Sequence, residues 1–208
     1  MSSALTIAAV TAILKSLLEN SLIQQAVTIG MGDIAVSTLP PDRVTIEGED
    51  RPRLNLYLYR LSPNTGWRQA ARADIQASQQ EQAMALNLHY LLSVYSERDL
   101  QAEVLLGAAL DCLQKAASLP DEQIKSLLAT LAATRSENAT LKVLAQAAQS
   151  LPLKEIRVLP EFLSLEELSK LWSSLQAHAR LSVTYQVSVT LSTKSSSEVP
   201  QPARALRK

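Results

Sequence analysis

The sequence predicts an α/β (α+β) fold, a single domain in which a mixed, mostly antiparallel sheet carries helices mainly on one face. Three observations lead there. Residues 86–95 and 180–193 alternate apolar and polar side chains with a period of two, the mark of strands. Residues 4–19, 97–119 and 121–150 place apolar residues at helical spacing. These two kinds of segment interleave along 208 residues with no internal repeat, which favours one layered domain.

In order along the chain, Ile7, Val10, Ile13, Leu14, Leu17 and Leu18 give residues 4–19 an apolar helical stripe, with Ser2 or Ser3 available as N-cap. Ala26–Ile29 and Ile34–Leu39 are rich in β-branched residues and read as short strands, the second stopped by Pro40-Pro41. Val44–Glu47 is a weaker strand candidate, followed by the polar turn Glu47-Gly48-Glu49-Asp50. In Arg53–Leu61, Leu54, Leu56 and Leu58 share one face and Asn55, Tyr57 and Tyr59 the other. Apolar mass on both faces predicts a strand covered on both sides. Ser62-Pro63-Asn64-Thr65-Gly66 ends it with turn chemistry.

Residues 67–84 are Ala- and Gln-rich and read as a loop or short irregular helix. The alternation of Leu86, Leu88, Tyr90, Leu92 and Val94 favours a strand, although Leu88, Leu91, Leu92 and Tyr95 also fit a helical period. Ser96 and Asp99 resemble a capping box opening a largely buried helix from Glu97 to Leu119. Residues 121–150 form an insertion-like helical hairpin, with stripes at Ile124, Leu127, Leu128, Leu131 and at Leu141, Leu144, Ala148, broken at Thr134–Asn138. Leu153–Leu159 is a strand closed by Pro160. Ser164 and Glu167 then make a capping box, with Leu163 and Leu168 placed for a hydrophobic staple. Leu165, Leu168, Leu171, Trp172 and Leu175 form that helix's buried stripe. Arg180–Thr193 is a long strand with one dry and one wet face, either at a sheet edge, where it would offer a surface for assembly, or inside the sheet. The domain spans 1–193, and 194–208 has the composition of a flexible tail.

Composition excludes several function classes. Twenty basic and twenty acidic residues give zero net charge, which argues against a nucleic-acid partner. The single cysteine, Cys112, allows neither a disulfide framework nor a multi-cysteine metal site. Met1-Ser2-Ser3 lacks the basic flank of a signal peptide, and no run is expected to reach the roughly 18 apolar residues of a membrane span. A cytoplasmic protein without membrane insertion is the expectation.

Few motifs carry chemistry. Gly30-Met31-Gly32-Asp33-Ile34-Ala35 matches a dinucleotide fingerprint, with Glu47, Glu49 and Asp50 near the spacing of a ribose-binding acid. Such a site needs a helix right after the glycines, whereas Val36-Ser37-Thr38-Leu39-Pro40-Pro41 follows. A nucleotide-binding enzyme using Gly30–Ala35 is therefore the lesser alternative. There is no G-x-S-x-G elbow. His89 sits inside a strand, His178 suits a helix C-terminus, and Cys112 reads as a small buried hydrophobe. Two isolated histidines and one cysteine give no metal-ligand spacing, Glu166 and Glu167 suit a helix start, and Asn138-Ala139-Thr140 is a sequon without a secretory context. Arg53, Tyr57 and Tyr59 could stack bases or a peptide on a sheet face, the basis of a second alternative, a generic binding module; Arg204, Arg207 and Lys208 read as a solubilising terminus. The sequence nominates no catalytic, cofactor-binding or metal-binding residue, no cofactor and no small-molecule substrate.

Several ordered segments resemble the cap, or tail-terminator, family of phage-tail-like contractile injection systems of the antifeeding-prophage type. They are Ile7–Ala12, Val36–Asp42, Asn55–Asn64, Leu86–Tyr95, Leu105–Ala109, Leu165–Trp172 and Leu181–Val189. Residues 73–83 and 121–150 depart from the pattern. The resemblance implies a tail-terminator-like fold and a non-enzymatic, structural role. It implies a ring, as a homohexamer, at the baseplate-distal end of the particle, meeting inner-tube and sheath subunits and ending their assembly. Such a chain is expected in the cytoplasm as part of the particle, or released with it.

Overall fold

A computed structural model describes residues 5–29, 33–44, 51–66, 81–133, 143–144, 151 and 153–194. Its elements are α1 (Thr6–Ile29), β1 (Ala35–Ser37), a 3-10 turn (Pro41–Arg43), β2 (Arg53–Pro63), β3 (Glu81–Tyr95), α2 (Gln101–Lys115), β4 (Ser118–Pro120), α3 (Asp121–Ala133), β5 (Leu153–Glu161), α4 (Leu165–Ser174) and β6 (Ser182–Lys194). The six strands form one sheet in the order β1-β2-β3-β6-β5-β4. Only β1 and β2 run parallel. The fold is thus a single α+β domain with a mixed sheet.

The alternation in the strands sorts side chains onto two faces. Leu54, Leu56, Leu88, Tyr90, Leu92, Val94, Ile156, Val158, Tyr185, Val187 and Val189 join one core with Ile13, Leu14 and Leu18 of α1 and Leu105 and Leu113 of α2. Ile124 and Leu128 of α3 complete it, so α1, α2 and α3 lie on this front face. Trp172 of α4 is buried but outside that core, and its Nε1 donates to Ser182 Oγ at 3.3 Å. Ser182 alternates with the core-facing Val183, which puts α4 on the back face.

Several local expectations are overturned. Ala26–Ile29 is the last turn of α1 rather than a strand. Once a helix is nucleated, adding residues costs less than the mild β preference of Val27 and Ile29. Thr6–Ile23 is long and apolar enough to cross a membrane, contrary to the expectation of no such run, but Ala9, Val10, Ile13, Leu14 and Leu18 are buried against the sheet. β3 begins at Glu81 and not at Leu86, because β6 continues alongside as far as Lys194. The helical alternative for 86–95 is excluded by that same ladder.

Ser96 and Asp99 form no capping box. The helix starts later, at Gln101, behind Leu100 at φ 60, and Ser96 Oγ bonds the Gln101 side chain. The helix also ends at Lys115, and Leu119 belongs to β4. It is buried on one side only, through Leu105, Ala108, Ala109, Cys112 and Leu113. Pro160 does not close β5, which runs on to Glu161. The β4 ladder ends at Arg157, so Pro160 stands where β5 has one neighbour and a missing N–H is tolerated. Leu165 is not part of a buried stripe on α4 but 84% exposed. For β6, the choice left open between edge and interior is decided for the interior. The strand lies between β3 and β5, and its expected wet face buries Thr184 and Ser188.

The turn expected at 47–50, the 67–80 segment, most of the second half of the 121–150 hairpin and the 195–208 tail lie outside the described residues. Of the hairpin's second stripe, Leu144 is helical and buried.

Candidate functional site

The back face gathers the polar side chains. β2 carries a bulge between Leu58 and Arg60, after which the pairing slips by one residue. The slip sets Arg60 opposite His89 and Ser62 opposite Asn87. Ser62 Oγ lies 2.8 Å from His89 Nε2, and His89 Nδ1 lies 2.9 Å from Glu161 Oε2. Serine, histidine and carboxylate stand in the order of a nucleophile–base–acid relay. Their setting is that of a tie. His89 is 5% exposed, and the three residues belong to β2, β3 and β5, so the relay bridges strands across intervening β6. The Thr184 hydroxyl fixes the Glu161 end by donating to its backbone carbonyl. Beside it, Asn64 Nδ2 donates to Asn87 Oδ1 at 2.9 Å, and Ser188 Oγ donates to the same oxygen at 2.9 Å. A buried polar group left unpaired costs about 1–3 kcal/mol, so this network fixes the register of the central strands.

The aromatic residues expected as a stacking platform are absorbed into the same packing. Tyr59 sits at the bulge with its ring centroid 6.1 Å from that of His89. Burial, with Glu161 nearby, pushes its phenol up to about 12. Tyr57 and Arg53 are half-buried. Asn55 is fully buried, accepting from Ser37 Oγ at 2.8 Å and donating to the Leu39 carbonyl at 3.0 Å.

The other candidates separate. Ala35 begins strand β1, and helix α1 precedes it, so Gly30–Ala35 reverses the strand–turn–helix order that a dinucleotide site requires. Gly30 and Gly32 lie outside the described residues. His178 is exposed beyond the end of α4, past Gln176 at φ 53, rather than on the helix terminus. Cys112 is buried in α2, and burial pushes its thiol up. Among the described residues, no group of three or more His, Cys, Asp or Glu could hold a metal ion.

Two surface features were not legible in the sequence. The turn from β5 into α4 exposes Phe162 at 83% and Leu165 at 84%. On the opposite side of the sheet, α1, α2, β4 and α3 surround a hollow of about 510 Å³ lined by Leu17, Cys112, Ala116, Leu119 and Leu127. Neither has a periodic signature, because exposure of a turn residue depends on which neighbours fail to cover it.

The model of one protein family, described as the Pvc16 N-terminal domain, matches residues 9–205. The chain belongs to this family. No curated protein matches the chain. Among solved structures it is similar to the sheath/tube terminator, in the extended state, of PVC, an extracellular contractile injection system. That match has 19% identity and a TM-score of 0.58 over 98% of this chain and 62% of the other. It is also similar to the tube-terminating cap of the anti-feeding prophage, at 16% identity and a TM-score of 0.49 over 89% of this chain and 59% of that one. The chain therefore spans less than two thirds of the length of either of these structures. The first match shows a shared fold, and the resemblance drawn from the sequence holds at the level of family and fold.

Proposed function

We propose that the protein is a structural terminator of a contractile injection particle. It forms a ring, a homohexamer, at the baseplate-distal end, meets the last inner-tube and sheath subunits and ends their assembly. The observation that carries this reading is membership of the Pvc16 N-terminal domain family over residues 9–205, with a fold shared along 98% of the chain with a sheath/tube terminator. The role asks for contact surfaces and not for chemistry, so the protein is read as non-enzymatic, assembled in the cytoplasm with the particle. The Ser62–His89–Glu161 relay then serves to brace the sheet that presents those surfaces. A ring of identical subunits uses heterologous contacts that close on themselves. Particles from a deletion strain, imaged by electron microscopy, test the reading. Tubes of unregulated length or sheaths with frayed distal ends are the expected result; particles of normal length with intact ends overturn it.

A further inference from the structure

We propose that the groove between α4 and the stretch leading into β6 binds an extended, acidic segment of a partner protein, with a carboxylate on Arg180 and an apolar side chain on Leu165 and Leu168. The assignment does not depend on the ring reading.

The groove follows from how the chain leaves α4. Gln176, at φ 53, turns the backbone. Residues 177–180 then face Leu165, Leu168 and Trp172 across a cleft of about 520 Å³, a volume ordinary for a ligand site. Leu165, Leu168 and Trp172 stand three and four positions apart, so they share one helical face. Leu165 is exposed at one end and Trp172 is buried. At the helical rise, Leu165 to Trp172 covers roughly 10 Å, the length of about three residues of extended peptide.

Charge says what covers the groove. Arg180 is the one arginine or lysine lining it, His178 is a second polar donor, and no carboxylate lines it. The Arg180 guanidinium carbon lies 5.7 Å from the centroid of the Tyr95 ring, which is itself buried. Stacking of this kind orients a guanidinium without using its N–H donors. Asp42 acts on the same ring but forms no ion pair with Arg180. The acids of α4 are committed elsewhere, Glu166 to Lys170 at 2.6 Å and Glu167 to the Ser164 cap. The end of α4 makes no demand on Arg180 either, because the Leu171, Trp172 and Ser173 carbonyls accept from the N–H groups of Leu175, Ala177 and Gln176. An oriented guanidinium with its fork of donors open suits a carboxylate. A single such cation between apolar walls does not suit a nucleic acid, which calls for several.

The test uses the full chain and a synthetic peptide with blocked termini, in which two alanines separate a leucine from a glutamate. Saturation-transfer NMR, which reads weak binding to large assemblies, is expected to show contact at the leucine methyls. Glutamine in place of the glutamate, or Arg180→Glu in the protein, should weaken binding about three- to fivefold. A peptide with lysine in that place should regain affinity for the Arg180→Glu protein, which separates a lost contact from a damaged fold. Leu165→Ser, at an exposed position, should weaken binding of the original peptide. Equal binding of the glutamate and glutamine peptides, or failure of the lysine peptide to restore binding, overturns the carboxylate contact. Binding unchanged by Leu165→Ser overturns the apolar one. No saturation at several millimolar overturns the groove as a peptide site. Self-association of the full chain that Arg180→Glu abolishes, without peptide binding, gives the groove to a second copy and overturns the assignment to a partner protein.

Discussion

Tyr90 joins the first helix to the centre of the sheet. Its ring is fully buried and its hydroxyl lies 2.8 Å from Thr11 Oγ1, which also donates to the Ile7 carbonyl. Tyr90→Phe keeps the packing and removes one hydrogen bond, so a loss of about 1 kcal/mol in urea unfolding is expected. The phenols also set an alkaline limit. Burial pushes Tyr90 up, and pushes Tyr185 up to about 12, from an ordinary value of 10.0. The fold prefers the neutral ring, so this contribution to stability is complete below pH 10, where both states are protonated. As pH rises beyond that the unfolded chain ionises first, and the Tyr185 part of this stability falls until its folded phenol ionises near pH 12. Urea midpoints between pH 9 and 12 should show the decline, with a shallower slope in Tyr185→Phe. At this scale the sequence was half legible. Alternation placed Tyr90 on the inward face, but its partner lies 79 positions away and no local pattern announces it.

At the scale of elements, what is local was readable and what is tertiary was not. The capping box at Ser164 is written in four consecutive residues, and it formed. Ser164→Ala should cost about 1 kcal/mol and speed amide hydrogen exchange in α4 before any other helix. The similar signature at Ser96 failed because the chain makes a further turn, with Leu100 left-handed, before α2 begins. An L residue with a branched side chain there is strained, so Leu100→Asn should raise stability by up to about 1 kcal/mol, read as a higher urea midpoint. The His89–Glu161 tie was equally invisible, since it depends on a strand order that interposes β6 between its ends. A double-mutant cycle with His89→Gln and Glu161→Gln should return a coupling of about 1–2 kcal/mol, and additive losses would show that the two side chains act independently.

For the whole molecule, the class, the single domain and the strands other than the short β4 were legible, because period-two and period-3.6 patterns carry that information. Sheet order was not. The sequence left Arg180–Thr193 open between edge and interior, and the structure puts it between β3 and β5. Edges fall instead to β1 and β4, three residues each, which offer little backbone for unwanted pairing. A chain ending at Leu181 should lose cooperative unfolding altogether, seen as a sloping thermal transition by circular dichroism, since both halves of the sheet lose their common partner.

The central place of β6 also has a consequence for biosynthesis. β3 emerges from the ribosome long before the strand that will flank it, with the stretch from Ser93 to Ser182 still to be made. Until then its flank is an open template for other nascent chains. Closing the sheet is a late, long-range event that makes the chain slow to fold, and newly made subunits should engage chaperones. The supply of folded chains would then lag behind translation, so that the rate of folding, and not of synthesis, sets when the finished sheet becomes available.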